Sequence, residues 1–502
     1  MDLLQRLDAQ VLSRTLSWLP QRQALQLMIL ASDWVKLVAA HLRRLVIASD
    51  LPLGLVTRAA PWCQRLVELQ FQACQGDTEK FWATTARCVE LLRGAPVKQL
   101  GVKGRYVEKC RQDCQDGTLQ DAQNLEASPI FKALATHASH WDVETFSVEL
   151  VPLADVMQPM GCFLEGATGL SSLMLRQCGL TGPGAAPLKF LCETLVSLPF
   201  KNLLTLDLSM NALCLEGANF LGEFLQCTPQ LQTLLLGGNG LGPAGLAALV
   251  RSLSQLPLST LDLSLNGLGT TGVETLLPAG LQLQSLNLRG NWFGSSHSEI
   301  IVHLLQSMSA TLVKLDISQN KLGPHGVGEI VRNLPPLPKL RALILAENQF
   351  ATADFLPEAF GHLSEMAPQL EELDLTANQL GSHRPTVGAL CKQLPGSLRA
   401  LWLGASSLKG ENLQAVLQNL DLPLLQRLSL VQAMMDDQSL QLFSGWWVKD
   451  PLPQLQFLDI SGNFVSGAAI ARLKLDLHRN KAFRQLKGRG RTHPLKSYPH
   501  HS

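Results

Sequence analysis

The sequence has few charged residues, and the charges that it has are balanced. Asp, Glu, Lys and Arg make up 17% of its 502 residues, against about 25% in typical soluble domains. Its 42 Lys and Arg face 41 Asp and Glu, which gives a formal net charge of +1. This balance offers no global electrostatic attraction to nucleic acid or to an anionic membrane. We therefore expect neither as a partner.

Long apolar runs and an export signal are also lacking. No stretch reaches the roughly 18 uncharged apolar residues that a membrane helix needs. Asp2, Arg6 and Asp8 occupy the N-terminus, where a signal peptide has basic residues followed by an apolar stretch. The 11 cysteines follow no disulfide-framework spacing, and several, such as Cys192 and Cys227, fall at apolar positions of predicted helices. This usage is typical of a reduced intracellular protein, so we expect a cytoplasmic or nuclear location.

Catalytic and metal-binding motifs are missing as well. The sequence has no Ser-centred elbow, no phosphate loop ending in Gly-Lys-Ser/Thr and no His-Glu-x-x-His, and its 12 His are scattered. Cys110 and Cys114 lie four residues apart, but neither a second pair nor a nearby His completes a zinc set. We predict a non-catalytic protein that uses no cofactor and no metal.

What the sequence has in abundance is one repeated pattern, L-x-x-L-x-L-x-x-N/C-x-L. From Cys178 to Asn463 its Asn/Cys slot recurs eleven times, at a mean spacing of 28.5 residues. The slot is occupied by Cys178, Asn211, Asn239, Asn266, Asn291, Asn320, Asn348, Asn378, Ser406, Ala433 and Asn463. Such self-similarity predicts a stack of equivalent units, each packing only on its neighbours, rather than several globular domains.

Each unit divides into a strand, a tight turn and a helix. The leucines of the first half alternate and are predicted to face inward from a strand, whereas Leu246, Leu249, Val250 and Leu253 of a second half have helical spacing. The Asn side chain is predicted to be buried in the turn, where it satisfies backbone groups that no strand pairing reaches.

The 28–29-residue unit with its L-x-L-S-x-N-x-L core resembles the ribonuclease-inhibitor-like class of leucine-rich repeats. The resemblance implies an α/β solenoid (horseshoe), with a parallel concave sheet, convex helices and a small helical N-terminal cap. We assign residues 141–475 to regular repeats and residues 42–140 to degenerate ones, with a polar insertion at about residues 108–129. Residues 476–502 are basic, and we expect a disordered tail there.

Residues 1–41 do not repeat, and they carry an apolar pattern of helical spacing. Its members are Leu7, Val11, Leu16, Leu19, Leu25, Leu30 and Trp34. Their order resembles an F-box, the three-helix motif that docks on the Skp1 adaptor of cullin ubiquitin ligases. Asp8 replaces the proline of the family motif, and Asp33 stands where a basic residue is usual. The alternative is a helical cap that shields the apolar edge of the first repeat.

A protein partner is expected on the concave face, where alternate strand residues point outward. The residue between the last two strand leucines is Asp in five repeats. We interpret this recurrence as a usual feature of the repeat sequence rather than as an acidic docking site. Apolar residues interrupt this column at Leu235, Ile344 and Trp402. Clustered Trp and Arg are typical of interface anchors. We therefore predict a binding hot spot, and its residues are Arg341, Ile344, Arg399, Trp402 and Arg427.

The repeat class alone leaves the function open. It implies a protein-binding scaffold, and with the F-box-like N-terminus a substrate-recognition subunit of a Skp1–cullin–F-box ubiquitin ligase. The alternatives are a GTPase activator similar to the Ran GTPase activators, or a receptor-like repeat protein without a ligase role. Neither the partner nor the oligomeric state follows from the sequence.

Overall fold

The computed structural model describes most of the repeat region. The described residues are 43–48, 56–57, 59–63, 66–73, 78–104, 128–137, 141–180, 185–197, 202–296, 298–351, 353–449, 451–478 and 480–488. The predicted helical cap or F-box-like segment at 1–41 lies outside them, as do residues 105–127 and the tail beyond residue 488. The contacts divide the chain into two units, residues 1–241 with 251–258 and residues 242–250 with 259–502.

Unit 1 contains seven parallel strands that follow one another in chain order. They are β1 (Arg44–Ala48), β2 (Glu68–Gln72), β3 (Gln99–Lys103), β4 (Thr145–Glu149), β5 (Ser172–Arg176), β6 (Thr205–Asp207) and β7 (Thr233–Leu235). The helices are α1 (Thr78–Leu91), α2 (Ser128–His137), α3 (Met157–Gly166), α4 (Ala186–Ser197) and α5 (Cys214–Leu225), and α6 (Gly242–Leu253) contributes residues to both units. Neighbouring helices pack side by side behind the strands.

Unit 2 repeats this arrangement with nine parallel strands, again in chain order. They are β8 (Thr260–Asp262), β9 (Ser285–Asn287), β10 (Lys314–Asp316), β11 (Ala342–Ile344), β12 (Glu372–Asp374), β13 (Ala400–Trp402), β14 (Arg427–Ser429), β15 (Phe457–Asp459) and β16 (Gln485–Lys487). The helices are α7 (Gly269–Leu276), α8 (Ser298–Ser307), α9 (Gly323–Arg332), α10 (Leu356–Gly361), α11 (Leu363–Met366), α12 (Arg384–Lys392), α13 (Gly410–Asn419), α14 (Asp437–Trp447) and α15 (Gly467–Leu477). The α/β leucine-rich-repeat fold is thereby confirmed.

Burial along the strands alternates, as the leucine pattern predicts. In β2, Leu69 and Phe71 are buried between half-buried neighbours, and in β13 Leu401 is buried while Trp402 is half-buried. The register pairs equivalent leucines across the strands, for example Leu315 with Leu343. Each repeat therefore stacks its apolar side chains on those of the next, and the opposite side of the strands, the strand face, stays accessible. The degenerate repeats assigned to residues 42–140 supply strands β1 to β3, and β4 follows at Thr145–Glu149.

The predicted role of the asparagines is confirmed. The Asn320 side chain is fully buried, and its amide donates to the Leu288 carbonyl (3.0 Å) of the preceding repeat and to the Ile317 carbonyl (2.9 Å) of its own. Its Oδ1 accepts from the Asn291 backbone NH at 2.7 Å. In unit 2 the same contacts run from Asn291 to Asn378, and they form an asparagine ladder whose rungs lie one repeat apart.

The ladder supports a turn that is otherwise unfavourable. Gln319 (φ 55°) and Lys321 (φ 56°) flank Asn320 in the left-handed region, which side chains other than glycine seldom adopt. Equivalent pairs recur in other repeats, such as Glu347 and Gln349. Because some backbone amides and carbonyls here point away from the strand hydrogen bonds, a buried side chain with both a donor and an acceptor, such as that of Asn320, satisfies them.

The structure corrects three details of the sequence assignment. Strand β16 pairs with β15 inside the segment assigned to the tail, so the repeats extend at least to Lys487 rather than ending at residue 475. Helix α2 begins at Ser128, so the last two residues of the predicted insertion are helical. Cys227 is exposed after the end of α5, not buried in a helix, because its helix ends at Leu225.

Other cysteines do serve as small apolar side chains. Cys192 and Cys391 are buried, and burial raises the pKa of both thiols to about 12. In the asparagine slot of β5, the buried Cys178 thiol donates to the Val148 and Arg176 carbonyls, each at 3.3 Å. Among the residues that the structure describes, no helix combines the length and the apolar character that a membrane span needs.

Replacing one ladder residue tests this account of the fold. We expect Asn320→Leu to lower the free energy of unfolding by about 1–3 kcal/mol, because buried backbone groups lose their partners. Asn333→Leu is the matched control, since Asn333 is exposed and its side chain bonds only the Glu329 carbonyl of its own helix. Urea unfolding of both variants measures the difference, and equal losses would contradict the role of the ladder.

Candidate protein-binding face

The outward column predicted from the sequence is present in the strand register. In unit 2, Asp262 pairs with Asn287 and Asn287 with Asp316, and the series continues through β11 to β16. The later members are Ile344, Asp374, Trp402, Ser429, Asp459 and Lys487. In unit 1 the same column is formed by Met174, Asp207 and Leu235. These side chains point to the strand face because they alternate with the buried leucines.

The aspartates of the column close a turn at the end of their strands. The Asp316 carboxylate accepts from the Ser318 backbone NH at 2.9 Å, and Asp207, Asp262, Asp374 and Asp459 accept from equivalent amides at 2.8–2.9 Å. Asn287 uses its Oδ1 in the same way, at 3.1 Å. Their recurrence therefore has a local structural cause, and it does not require an acidic partner site.

Leu235, Ile344 and Trp402 occupy this column without any group that could accept the hydrogen bond. Each forgoes a favourable local contact and places apolar surface on the strand face, where Ile344 and Trp402 are half-buried. A residue that breaks a local rule without a gain in packing is a candidate for function. The column thus contains residues that close the turn, such as the aspartates, and apolar residues that do not.

A charged cluster lies at the beginning of the same strands. The Glu371 carboxylate is 3.4 Å from the Arg341 guanidinium and 3.9 Å from that of Arg399. The three residues occupy equivalent positions before β11, β12 and β13, and the carboxylate stands between the two cations. All three side chains remain at least one third exposed, so the pairs hold the arginines in place more than they stabilise the fold.

The structure brings together part of the predicted hot spot. Arg399 and Trp402 belong to one strand segment, and Ile344 is separated from Trp402 by Asp374 of the intervening β12. Arg341 joins the cluster through Glu371. Arg427 is in register with Ala400 rather than with Trp402, and it lines a separate cavity at the start of β14 to β16. The group therefore forms two neighbouring patches.

The carboxylates of the face have unequal environments. Burial raises the pKa of Asp374, and the hydrogen bonds from Thr376 offset this only in part. Burial also disfavours the Asp459 carboxylate, but hydrogen bonds from Ser461 and Lys487 outweigh it and leave its pKa lowered. The Lys487 ammonium lies 2.9 Å from this carboxylate and links β16 to β15. The negative charge next to Ile344 and Trp402 is therefore the less stable of the two.

Sequence reasoning missed Glu371 and the residues around Arg427. The first could have been found by aligning the residue that precedes each strand, since Arg341, Glu371 and Arg399 then form one row. The cavity at Arg427 depends on β16, where Phe483 and Leu486 keep the leucine spacing but Gly488 ends it. In the described ranges, no group of three or more His, Cys, Asp and Glu side chains could hold a metal ion.

The pH dependence of stability should report the burial of Asp374. A carboxyl whose folded pKa is raised binds protons more readily in the folded state, so it destabilises the fold once it is charged. We expect Asp374→Asn, which keeps the acceptor for Thr376, to unfold at higher urea concentration than the wild type at about pH 7. The gain should shrink as the pH approaches about 4, where the unfolded carboxyl also protonates.

Asp421→Asn at an exposed position controls for the lost negative charge. A gain that is equally large in the control, or that does not change with pH, would contradict the burial argument. Urea midpoints at three or more pH values supply the measurement.

The comparisons with known proteins agree with the repeat. A family model described as a leucine-rich repeat matches residues 256–277. The pig (Sus scrofa) ribonuclease inhibitor is 30% identical over 286 residues, which cover 56% of this chain and 56% of that protein. The mouse (Mus musculus) ribonuclease inhibitor is 31% identical over 225 residues, covering 43% and 47%. The chain thus spans about half the length of the curated relatives that it matches.

Among solved structures, the leucine-rich repeat-containing protein LegL7 from Legionella pneumophila aligns with a TM-score of 0.41 at 19% identity. It covers 66% of this chain, and the alignment takes in 97% of that protein. The sequence comparisons and the repeated strand–turn–helix units together show that this chain contains leucine-rich repeats similar to those of the ribonuclease inhibitors.

Proposed function

We propose that the protein is a non-catalytic scaffold that holds another protein on the strand face of unit 2. The observation that carries the proposal is the pair of column positions at Ile344 and Trp402, where apolar side chains replace the turn-closing aspartate. Both lie beside the Arg341–Glu371–Arg399 cluster. Half-buried Trp with Arg close by is the combination that most often contributes the binding energy of protein interfaces.

The rigidity of the surface supports this role. The Trp402 strand hydrogen-bonds to both neighbours, and its backbone carbonyl accepts from the Leu375 amide at 2.9 Å. A partner would therefore meet side chains whose backbone is already ordered, which lowers the entropic cost of association. The relatives reported above are ribonuclease inhibitors, proteins named for the inhibition of an enzyme.

We further propose that residues 1–41 connect the scaffold to a Skp1-type adaptor, which would make the protein a substrate-recognition subunit of a cullin ubiquitin ligase. The support is the order of apolar residues from Leu7 to Trp34 in the sequence. This second step is separate from the first, because partner capture by the strand face does not require the adaptor.

Substitution of the Trp and Arg anchors tests the scaffold proposal. We expect the double variant Trp402→Ala, Arg399→Ala to lose capture of protein partners from cell extract, because the apolar anchor and its neighbouring cation are removed together. Its melting temperature should stay close to that of the wild type, since Arg399 is half exposed and its ion pair with Glu371 is long.

A matched control is the double variant Trp292→Ala, Arg251→Ala. Trp292 is 68% exposed on a loop of unit 2, and Arg251 is exposed on the helical side of the repeats. The control should retain every captured partner, which can be identified by mass spectrometry. If the Trp402, Arg399 variant captures the same proteins as the wild type, the proposed site is wrong.

The adaptor proposal has its own measurement. Purified Skp1 should be retained by the full chain and lost when residues 1–41 are removed, because the F-box-like residues all lie in that segment. The Trp402→Ala, Arg399→Ala variant should keep Skp1, which separates adaptor binding from partner capture. Retention of Skp1 by the truncated chain, or its absence from the full chain, would leave residues 1–41 as a cap only. Faster GTP hydrolysis by a small GTPase would instead favour the activator alternative.

A further inference from the structure

A cavity of about 430 Å³ opens at the start of strands β14, β15 and β16. Its walls come from two consecutive residues of each repeat: Gln426 and Arg427, Gln456 and Phe457, Arg484 and Gln485. The register aligns Arg427, Phe457 and Gln485 across the three strands. The volume lies within the roughly 300–1,000 Å³ of small binding pockets, so it suits a few side chains rather than a whole helix.

The backbone of this cavity is already hydrogen-bonded. The Gln426 carbonyl accepts from the Gln456 and Phe457 amides at 2.9 and 3.0 Å, and the Gln456 carbonyl accepts from the Arg484 and Gln485 amides, both at 2.9 Å. Recognition at this place therefore depends on side chains. The side-chain groups available for recognition are two guanidinium groups, three amide groups and one half-buried aromatic ring.

The two arginines of the cavity differ from the others on this face. Arg341 and Arg399 share the Glu371 carboxylate, and Lys487 is paired with Asp459 at 2.9 Å. In the described part of the chain, neither Arg427 nor Arg484 has a carboxylate within ion-pair distance. They flank β15: Arg427 begins β14, and Arg484 immediately precedes Gln485, its register partner two strands away. Among the residues that the structure describes, the cavity thus holds two cations with no carboxylate at ion-pair distance.

We propose that this cavity, the β14–β16 groove, binds a short acidic peptide segment of the protein partner. The proposal rests on the proposed scaffold function, because the segment would belong to the protein held on the strand face. Each guanidinium can receive one carboxylate in a two-bond fork. The glutamine amides can donate to and accept from the peptide backbone between the carboxylates, and the Phe457 ring offers apolar contact to an intervening side chain.

The rest of the face favours a peptide over a nucleic acid. A nucleic acid binds through a run of phosphate contacts, but only two cations line the groove, and the Asp459 carboxylate lies on its central strand β15, paired with Lys487. The two cations lie at the outer strands of the groove, Arg427 at the start of β14 and Arg484 just before β16. An acidic segment that bridges them is therefore oriented across the strands.

The test measures peptide binding to the full chain by fluorescence anisotropy. The probe is a fluorescein-labelled peptide Ser-Glu-Ser-Glu-Phe-Glu-Ser, and its matched control has Gln in place of each Glu. We expect the acidic peptide to bind about tenfold or more tightly than the control. Its affinity should fall when the salt concentration is raised from about 0.05 M to about 0.5 M, because the contacts are ionic.

Variants locate the binding. Arg427→Gln with Arg484→Gln should weaken the acidic peptide about tenfold or more, whereas Arg251→Gln with Arg332→Gln, at exposed positions on the helices, should leave it unchanged. Circular dichroism of each variant checks that the fold is retained. Equal affinity for the Glu and Gln peptides, no binding at all, or no effect of the Arg427 and Arg484 substitutions would overturn the proposal.

A single-stranded oligonucleotide of matched charge is included as a competitor. Stronger binding of the oligonucleotide than of the peptide would also overturn the assignment, in favour of nucleic acid. Because no partner is needed, the outcome is independent of the capture experiment. The Trp402 and Arg399 substitutions could abolish partner capture while the peptide fails to bind. That result would support the scaffold function and contradict only the proposal for the groove.

Discussion

The whole structure depends on how buried backbone groups are satisfied where each strand ends. A repeat of this length must turn sharply from strand to helix inside a closely packed stack, where water cannot reach the free amides and carbonyls. The asparagine ladder solves this with one side chain per repeat that bonds its own turn and the one before it, as Asn320 does. Stacking and turn formation are thereby coupled, because a repeat that forms the correct turn also packs correctly on the preceding repeat.

The ladder is interrupted where the strand face is least regular. Ser406 and Ala433 replace the asparagine in two successive repeats, and the Ser406 hydroxyl bonds only within its own turn, to the Gly404 carbonyl at 3.0 Å. The turns then approach closely, and a Cβ on Gly404 would lie 2.6 Å from the Val431 carbonyl oxygen. These repeats carry Trp402 and Arg427 on their strands. In these two repeats the turn lacks its asparagine and the outward column lacks its aspartate. Such departures from the repeat pattern are expected where a surface serves binding rather than folding.

Much of the fold was predictable from the sequence because the repeat encodes it several times. Eleven regular units specify one register, so an error in one is corrected by the others, and the degenerate repeats assigned to residues 42–140 supply strands β1 to β3. The sixteenth strand was missed because a single apolar pair, Phe483 and Leu486, carries too little of the pattern. The proposed site behaves differently: Trp402 and Ile344 stood out as exceptions, but the link through Glu371 and the separate groove around Arg427 depend on distances between repeats.

Those distances explain why a scaffold of this kind can be specific without a conserved chemistry of its own. The repeat determines where the outward residue of each strand lies, with neighbouring strands about 4.8 Å apart, so few positions on this face are free to vary. Aspartates fill five points of the column for local reasons, and they present the partner with an ordered background. In the proposed function, selectivity comes from the few positions that differ from this background: the apolar Ile344 and Trp402 of the column, and the cationic Arg427 and Arg484 of the groove. A partner that satisfies both groups must carry apolar and acidic features at a fixed separation, and this requirement excludes most proteins more effectively than either patch would alone.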